Sequence, residues 1–389
     1  MTARIYYRLT RRIPVVTSLL QAINREEAEP DNVRLYCYMK KKKKIELYEK
    51  DGWINIPEID NLGTWCNVII GPRQVGKTYG TLKRLITERR TFSYWRRSED
   101  ELDFITKNPK YNPFRALRKE GLNVDIVCAG KHDYRIGNAT YDEKGQPQLQ
   151  DEIATGTALL TVAKLRGFDG SAYTDIVFDE FIPEQIVVQR KAEGDACVNG
   201  YITFAGNREL EGKPPLKLWL LANANSIKSP ILSAWGLLPA VERLMRSQQE
   251  YLITDSNVLV AMPRSEKIID KRSETAAMRH LRKAGGAVYG MAAENRFAYD
   301  DLQSVRPQSL RGMKPLMQVA GLFIYEHTGS LYVCGVKHNK RPIYGDTVDD
   351  SVRCQMDNPQ LRQAYFSGYI YFDSAQSLIK FRDFFNIKD

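Results

Sequence analysis

The run GPRQVGKT, Gly71 to Thr78, has the spacing G-x-x-x-x-G-K-[ST] of a phosphate-binding loop. Each position answers a need of triphosphate chemistry. Gly71 and Gly76 let backbone N–H groups turn inward, and Pro72, Arg73, Gln74 and Val75 complete the cradle. Lys77 brings a cation to the β- and γ-phosphates of ATP, and Thr78 offers a hydroxyl to Mg2+. The helix expected to start here adds the positive end of its dipole. In IVFDEF, three apolar residues deliver Asp179 to the carboxyl end of a buried strand, where an acid holds the hydration shell of Mg2+. Glu180 follows at once and is placed to orient the attacking water. An Asp-Glu pair at a strand end often does no more than face solvent; the loop upstream is what gives this pair a role.

Three further residues belong with these. LLANANS closes an apolar strand on asparagines, so that the Asn223 amide can sense the γ-phosphate, with a polar strand-to-loop turn as the alternative. Arg166, in AKLRGFDGSAY, and Arg208, in TFAGNREL, are candidates for stabilising charge on a transferring phosphoryl group, a task that ring ATPases give to a neighbouring subunit. For both, an ordinary surface ion pair is the alternative.

The elements that must position these groups alternate from Trp65 onward. CNVIIG, TFSYWRR, LNVDIVCAG, DYRIGNATY, LLTVAKL, TDIVFDEF and LKLWLLANAN read as strands, and GKTYGTLKRLITERR and SEDELDFITKN as helices. Such alternation around apolar runs predicts an α/β fold with a mostly parallel sheet covered on both faces. At least one strand separates the loop strand from the Asp179 strand in sequence, which suits the ATPase branch with an added catalytic glutamate, the ASCE type. The expected organisation is an N-terminal arm over residues 1–60, a P-loop ATPase domain over 61–240, a linker or hinge over 241–270 and a smaller α/β domain over 271–389. In the linker, VERLMRSQQEYLITDSNVLVAMPR reads as a helix and a strand that leave the core. In the last domain, PLMQVAGLFIYEH reads as one strand and SAQSLIKFRDFF as a closing helix.

Composition narrows the partners. The formal net charge of +10 favours a polyanion, and nucleic acid is the usual one. Five consecutive lysines, Lys40–Lys44, form a solvated block in the arm. The six cysteines are scattered, without CxxC or zinc spacing, which argues for reduced thiols in a cytosol and against a structural metal. No apolar run approaches the length of a membrane span, and the N-terminus reads as mature sequence.

Taken in order, GPRQVGKT, YWRRSEDEL, RGFDGSAYTDIVFDEF, GNRE and LANANS, with the tail AENRFAYDDLQ and AYFSGYIYFDSAQSLIKF, resemble the DNA-packaging (encapsidation) ATPases of small phi-29-like tailed phages, which are terminase-like motors. The similarity runs from about Gly63 onward. It implies a homo-oligomeric ring, usually a pentamer, on the portal vertex of an empty procapsid in the host cytoplasm. That ring would pump double-stranded DNA inward using ATP and Mg2+. Portal, DNA and a structural packaging RNA are the implied partners, and no membrane is. Lys77 and Thr78 match the family's nucleotide loop, and Asp179 and Glu180 its Mg2+ and catalytic acids. Arg166 falls where the family has a basic residue acting across the subunit interface. Arg208 falls near its arginine finger, with Ala205 and Gly206 standing where another arginine is expected. The implied second domain is a degenerate RNase H-like fold without nuclease activity, and PLMQVAGLFIYEH agrees in carrying no acid before Glu326. Arg272, Arg279, Arg282 and Lys283 are candidate contacts to DNA, portal or RNA, with a solvated helix face as the alternative, and the loop Gln189–Asp195 is the candidate DNA-gripping loop, with a plain surface loop as the alternative. Two readings compete: a terminase large subunit with a working nuclease, and a structural portal- or RNA-binding protein with a vestigial nucleotide site.

Overall fold

The computed structural model describes residues 45–164, 169–184, 192–247, 249–284, 302–336 and 343–387. The lysine block, Arg166 and Gln189–Lys191 lie outside them, as do the side chains of Arg272 and Arg282.

The described residues build one large sheet and one small one. After a short helix, α1 (Ile56–Asp60), come β1 (Cys66–Ile70), α2 (Lys77–Thr87), β2 (Phe92–Arg96) and α3 (Glu99–Lys107). A 3-10 turn over Pro113–Glu120 leads to β3 (Val124–Gly130), β4 (Asp133–Tyr141), β5 (Pro147–Leu149), β6 (Ala154–Ala158) and β7 (Asp175–Asp179). Then follow α4 (Ala192–Ala205), β8 (Lys217–Ala222), α5 (Pro230–Ala234), α6 (Leu238–Arg246), β9 (Tyr251–Ile253) and β10 (Val258–Ala261).

In the large sheet the order is β3-β4-β6-β2-β7-β8-β1-β10-β9, with β5 paired to β4. The six strands from β6 to β10 in that order run parallel, and antiparallel strands close both edges. Every residue of β1 and β7 is buried, as continuous apolar runs in a parallel sheet should be. The expected α/β architecture with a mostly parallel sheet is therefore what the chain adopts.

Three sequence readings are corrected. LLTVAKL is not a strand: Leu159–Lys164 forms a 3-10 turn, and the strand is the preceding ATGTA. Small residues are required there, because a Cβ on Gly156 would come within 2.7 Å of the Tyr134 Cβ. Residues 251–261 do not leave the core. Val258–Ala261 is wholly buried and pairs in parallel with the loop strand β1, so the expected linker supplies two strands of the sheet. Nor do residues 47–60 of the expected 1–60 arm stand apart, since the Ile54 N–H donates to the Val75 carbonyl at 3.0 Å and α1 precedes β1 directly.

Beyond α7 (Glu266–Ser273) and α8 (Ala276–Ala284), the small sheet has the order β14-β11-β12-β13-β15. Its strands are β11 (Lys314–Val319), β12 (Leu322–His327), β13 (Ser330–Cys334), β14 (Ile343–Tyr344) and β15 (Ile370–Phe372). PLMQVAGLFIYEH is thus a hairpin, not one strand; Ala320 and Gly321, at φ +49° and +74°, make the turn. Helices α9 (Val348–Asp357), α10 (Pro359–Phe366) and α11 (Ala375–Phe384) cover one face of it around Phe372, Phe381 and Phe385. Helix α11 also ties the two sheets together. Ala375 sits in the apolar core of the large sheet, and its N–H donates to the buried Glu242 carboxylate on α6 at 2.9 Å. Lys228 and Asp383 pair at 2.9 Å, and Arg246 donates to the Val305 carbonyl at 3.0 Å. Among the described residues no helix is long and apolar enough to cross a membrane, and Cys66, Cys128, Cys197, Cys334 and Cys354 are free thiols.

Candidate nucleotide-binding site

The carboxyl ends of β7, β8 and β1, side by side in the sheet, carry the chemistry. Register sets the row: Asp179 pairs with Leu221 on β8, and Ala222 with Ile70 on β1. Asp179, Asn223 and the loop from Gly71 therefore emerge from adjacent strands. The Gly71 N–H donates to the Ala222 carbonyl at 3.0 Å and pins the start of the loop to β8.

The loop turns at Gln74 (φ +59°) and Gly76 (φ +92°). Gly76 is required twice: its φ lies in the left-handed region, and a Cβ would meet the Trp53 ring at 2.9 Å. Gly76 also caps α2 without a side-chain hydrogen bond, so the first N–H groups of the helix are left to the loop. Val75 is buried, while Arg73 is half-exposed and pairs with Glu184.

Lys77 is buried, and its ammonium donates to the Gly71 carbonyl at 2.9 Å, the Pro72 carbonyl at 2.6 Å and the Asn223 Oδ1 at 3.1 Å. Beside it, the Thr78 hydroxyl donates to Asp179 Oδ1 at 2.8 Å. The other oxygen, Oδ2, accepts from the Tyr94 hydroxyl at 2.8 Å and lies 3.5 Å from Arg96 Nη1. Burial pushes the Asp179 carboxyl above its ordinary value; the Arg96 charge opposes this, and Glu180 adds to it. Glu180 sits at φ +55°, uncommon for a residue with a Cβ, and turns its half-exposed carboxylate to Arg96 Nη2 at 2.6 Å. Burial works against the charge on Arg96, but the Asp179 and Glu180 carboxylates outweigh it and hold the guanidinium protonated.

Sequence reasoning missed Tyr94 and Arg96 as site residues. They lie two apart on β2, which runs parallel to β7 with Tyr94 opposite Val177, so both reach the Asp179 end of the sheet. The available signal was a cation closing a buried strand, as the acids close β7. Trp53 was missed as well. It walls a cleft of about 910 Å3 that also takes in Lys77, Thr78, Asp179, Glu180 and Asn223. On another wall, Tyr79 and Lys83 of α2 both reach Glu120, at 2.9 and 3.1 Å.

The structure does not bring Arg208 to this cleft. It is buried where β7 and β8 begin, donating to the Pro214 carbonyl at 2.7 Å and to the Tyr173 carbonyl. Nor does Ala192–Asp195 form a free loop: it opens helix α4, and Glu193 makes a buried two-pronged ion pair with Arg97, at 2.8 and 3.1 Å.

The donor set fits a magnesium-bound triphosphate. A carboxylate and a hydroxyl are hard oxygen ligands of the kind Mg2+ takes while keeping several waters. The cleft is roomy enough for a nucleotide, and its buried cation faces the same opening. Among the described residues no group of three or more His, Cys, Asp or Glu side chains could hold a metal by themselves.

No family model matches the chain, and no curated protein matches it. Solved structures do. The bacteriophage phi-29 viral genome packaging motor assembly is 19% identical over 85% of this chain and 99% of that one, with a TM-score of 0.57. The phi-28 DNA packaging motor is 14% identical over 87% of this chain and 100% of that one, with a TM-score of 0.56. At these identities the likeness is one of fold: the chain shares the fold of phage DNA-packaging motors.

Proposed function

We propose that the protein hydrolyses ATP to translocate double-stranded viral DNA into a preformed procapsid, working as a ring, in the number a pentamer, on the portal vertex. One observation carries this reading. Lys77, Thr78, Asn223, Asp179 and Glu180 converge at the carboxyl ends of three adjacent strands in a fold shared with packaging motors. The net charge of +10 suits a partner that is gripped by its phosphates regardless of sequence.

The roles follow from the contacts. Lys77 binds the phosphates of the substrate; the loop carbonyls and Asn223 hold its ammonium at the mouth of the cradle meanwhile. Thr78 and Asp179 would hold Mg2+, which neutralises charge on the triphosphate as ATP is cleaved. Glu180 takes the proton from the attacking water. Its Oε2 is engaged with Arg96, so it must let go of the guanidinium before it can act as base. Arg96 is therefore a positioning residue that couples the state of Asp179 to that of Glu180. Asn223 links the lysine to the end of β8 and is placed to respond when that lysine changes partners.

A ring would draw an arginine from the neighbouring subunit, and Arg166 is the candidate that remains. Arg208 would first have to abandon two backbone carbonyls. The small α/β domain is proposed as RNase H-like and without nuclease chemistry. In support, β12 carries no acid before Glu326.

Steady-state ATPase activity, measured with and without double-stranded DNA and procapsids, tests the reading. Turnover stimulated by DNA and procapsids is expected. Absence of turnover would leave a structural protein with a vestigial site, and cleavage of DNA in Mn2+ would make it a nuclease-competent terminase.

A further inference from the structure

The small sheet has a second face that the ATPase reading does not use. On β15, Ile370 and Phe372 point into the core, so Tyr371 and the preceding Tyr369 lie on the opposite side. Tyr371 pairs with Tyr332 on the parallel neighbour β13, which puts three tyrosines on one surface. Together with Arg306, Gln308 and His327 they line a cavity of about 400 Å3 beside the β12–β13 turn.

The parts of this cavity differ in exposure and each is held in place. Tyr332 is buried, and its hydroxyl accepts from the Gln308 N–H at 2.9 Å. Tyr369 is 62% exposed, yet its backbone is fixed on both sides. Its N–H donates to the Ala364 carbonyl at 2.9 Å, and its carbonyl accepts from the Leu331 N–H at 2.8 Å. The Arg306 guanidinium lies 4.8 Å from the centroid of the Tyr371 ring. Its Nε donates to the Gln303 carbonyl at 2.9 Å, and its own N–H to the Phe372 carbonyl at 2.8 Å.

We infer that this cavity binds an unpaired nucleobase together with its phosphate. Bases stack on tyrosine rings and on guanidinium planes, and both surfaces are presented here on a rigid sheet. The flanking Arg306 guanidinium suits an anion and disfavours a quaternary ammonium, which aromatic cages otherwise favour. A duplex, with its bases stacked inside, offers no ring to Tyr369.

The experiment uses the full chain and fluorescence anisotropy with labelled 12-nucleotide probes: a single-stranded RNA, the DNA strand of the same sequence, and the blunt duplex. Single strands are expected to bind more tightly than duplex. Tyr369→Ala should weaken single-strand binding about 5- to 150-fold, the range for loss of one stacked base, and leave duplex affinity and thermal melting unchanged. Tyr369→Phe should restore it, and Arg306→Ala should weaken it and flatten its salt dependence. Preference for RNA or for DNA names the source and supports the site either way. Unchanged single-strand affinity in Tyr369→Ala, or equal loss for single strand and duplex, overturns it. So does competition by a phosphotyrosine peptide but not by a mononucleotide. None of these readouts requires ATP turnover, so the site stands or falls apart from the motor reading.

Discussion

Arg96→Met tests the network most directly. The methionine keeps most of the stem and removes the cation that lies 3.5 Å from Asp179 and 2.6 Å from Glu180. Taking one partner from a buried ion pair costs about 3–5 kcal/mol when the other charge is stranded. Asp179 keeps its bonds from Thr78 and Tyr94, and Glu180 reaches solvent, so the lower end applies, about 3 kcal/mol near pH 8. For a chain of 389 residues that corresponds to a loss of about 4 °C in melting temperature. The sign of the pH dependence is fixed. The folded Asp179 is already raised above its ordinary value by burial, and loss of Arg96 raises it further. Between the unfolded and folded values the native state binds the extra proton, so stability falls as pH rises through that window and is flat above it. The deficit of the variant is therefore full in mildly alkaline buffer and shrinks as pH falls through the raised value. On the proposed role of Asp179 as an ionised Mg2+ ligand, the pH profile of ATP turnover should move upward in the same variant. Thermal melts and turnover at matched pH values from 5 to 9, about one unit apart, check both. An equal deficit at every pH, with an unmoved activity profile, would refute the reasoning.

Glu180→Gln should cut turnover by about 10²–10⁴-fold while ATP still binds, and Lys77→Ala should abolish binding itself; nucleotide titration and single-turnover hydrolysis separate the two. Gly76→Ala imposes a left-handed φ of +92° on a residue whose Cβ meets Trp53, so a loss of about 1–3 kcal/mol and weaker nucleotide affinity are expected in melts and titrations. Arg208→Ala uncaps two carbonyls at a buried site and should cost about 2–3 kcal/mol of stability. If it instead melted like the wild type, lost turnover and regained it on mixing with Glu180→Gln subunits, Arg208 would act across a subunit boundary.

Local pattern made much of this legible. A buried apolar run ending in glycine, followed by a lysine-led helix, locates the loop, and the same logic places Asp179 at the end of β7. What spacing does not carry is which strands become neighbours. Arg96 meets the acids only because β2 lies next to β7, although β3, β4, β5 and β6 intervene in sequence. The Val258–Ala261 strand was read as departing for the same reason: its partner, β1, lies far back in the chain. Arg208 misled in the opposite way. A guanidinium in a loop-like stretch looks available, and only the folded chain reveals carbonyls that already occupy it.

The bracing of α11 against α6 has a mechanical consequence. Swinging the small sheet away from the large one would expose Ala375, leave the buried Glu242 carboxylate without the N–H it accepts, and break the Lys228–Asp383 pair in one stroke. The two sheets are thus coupled through α11 by a shared apolar core, a buried hydrogen bond and an ion pair. On the proposed motor reading, relative motion is expected between whole subunits rather than between the two sheets, and cross-linking α11 to α6 should leave ATP turnover unchanged.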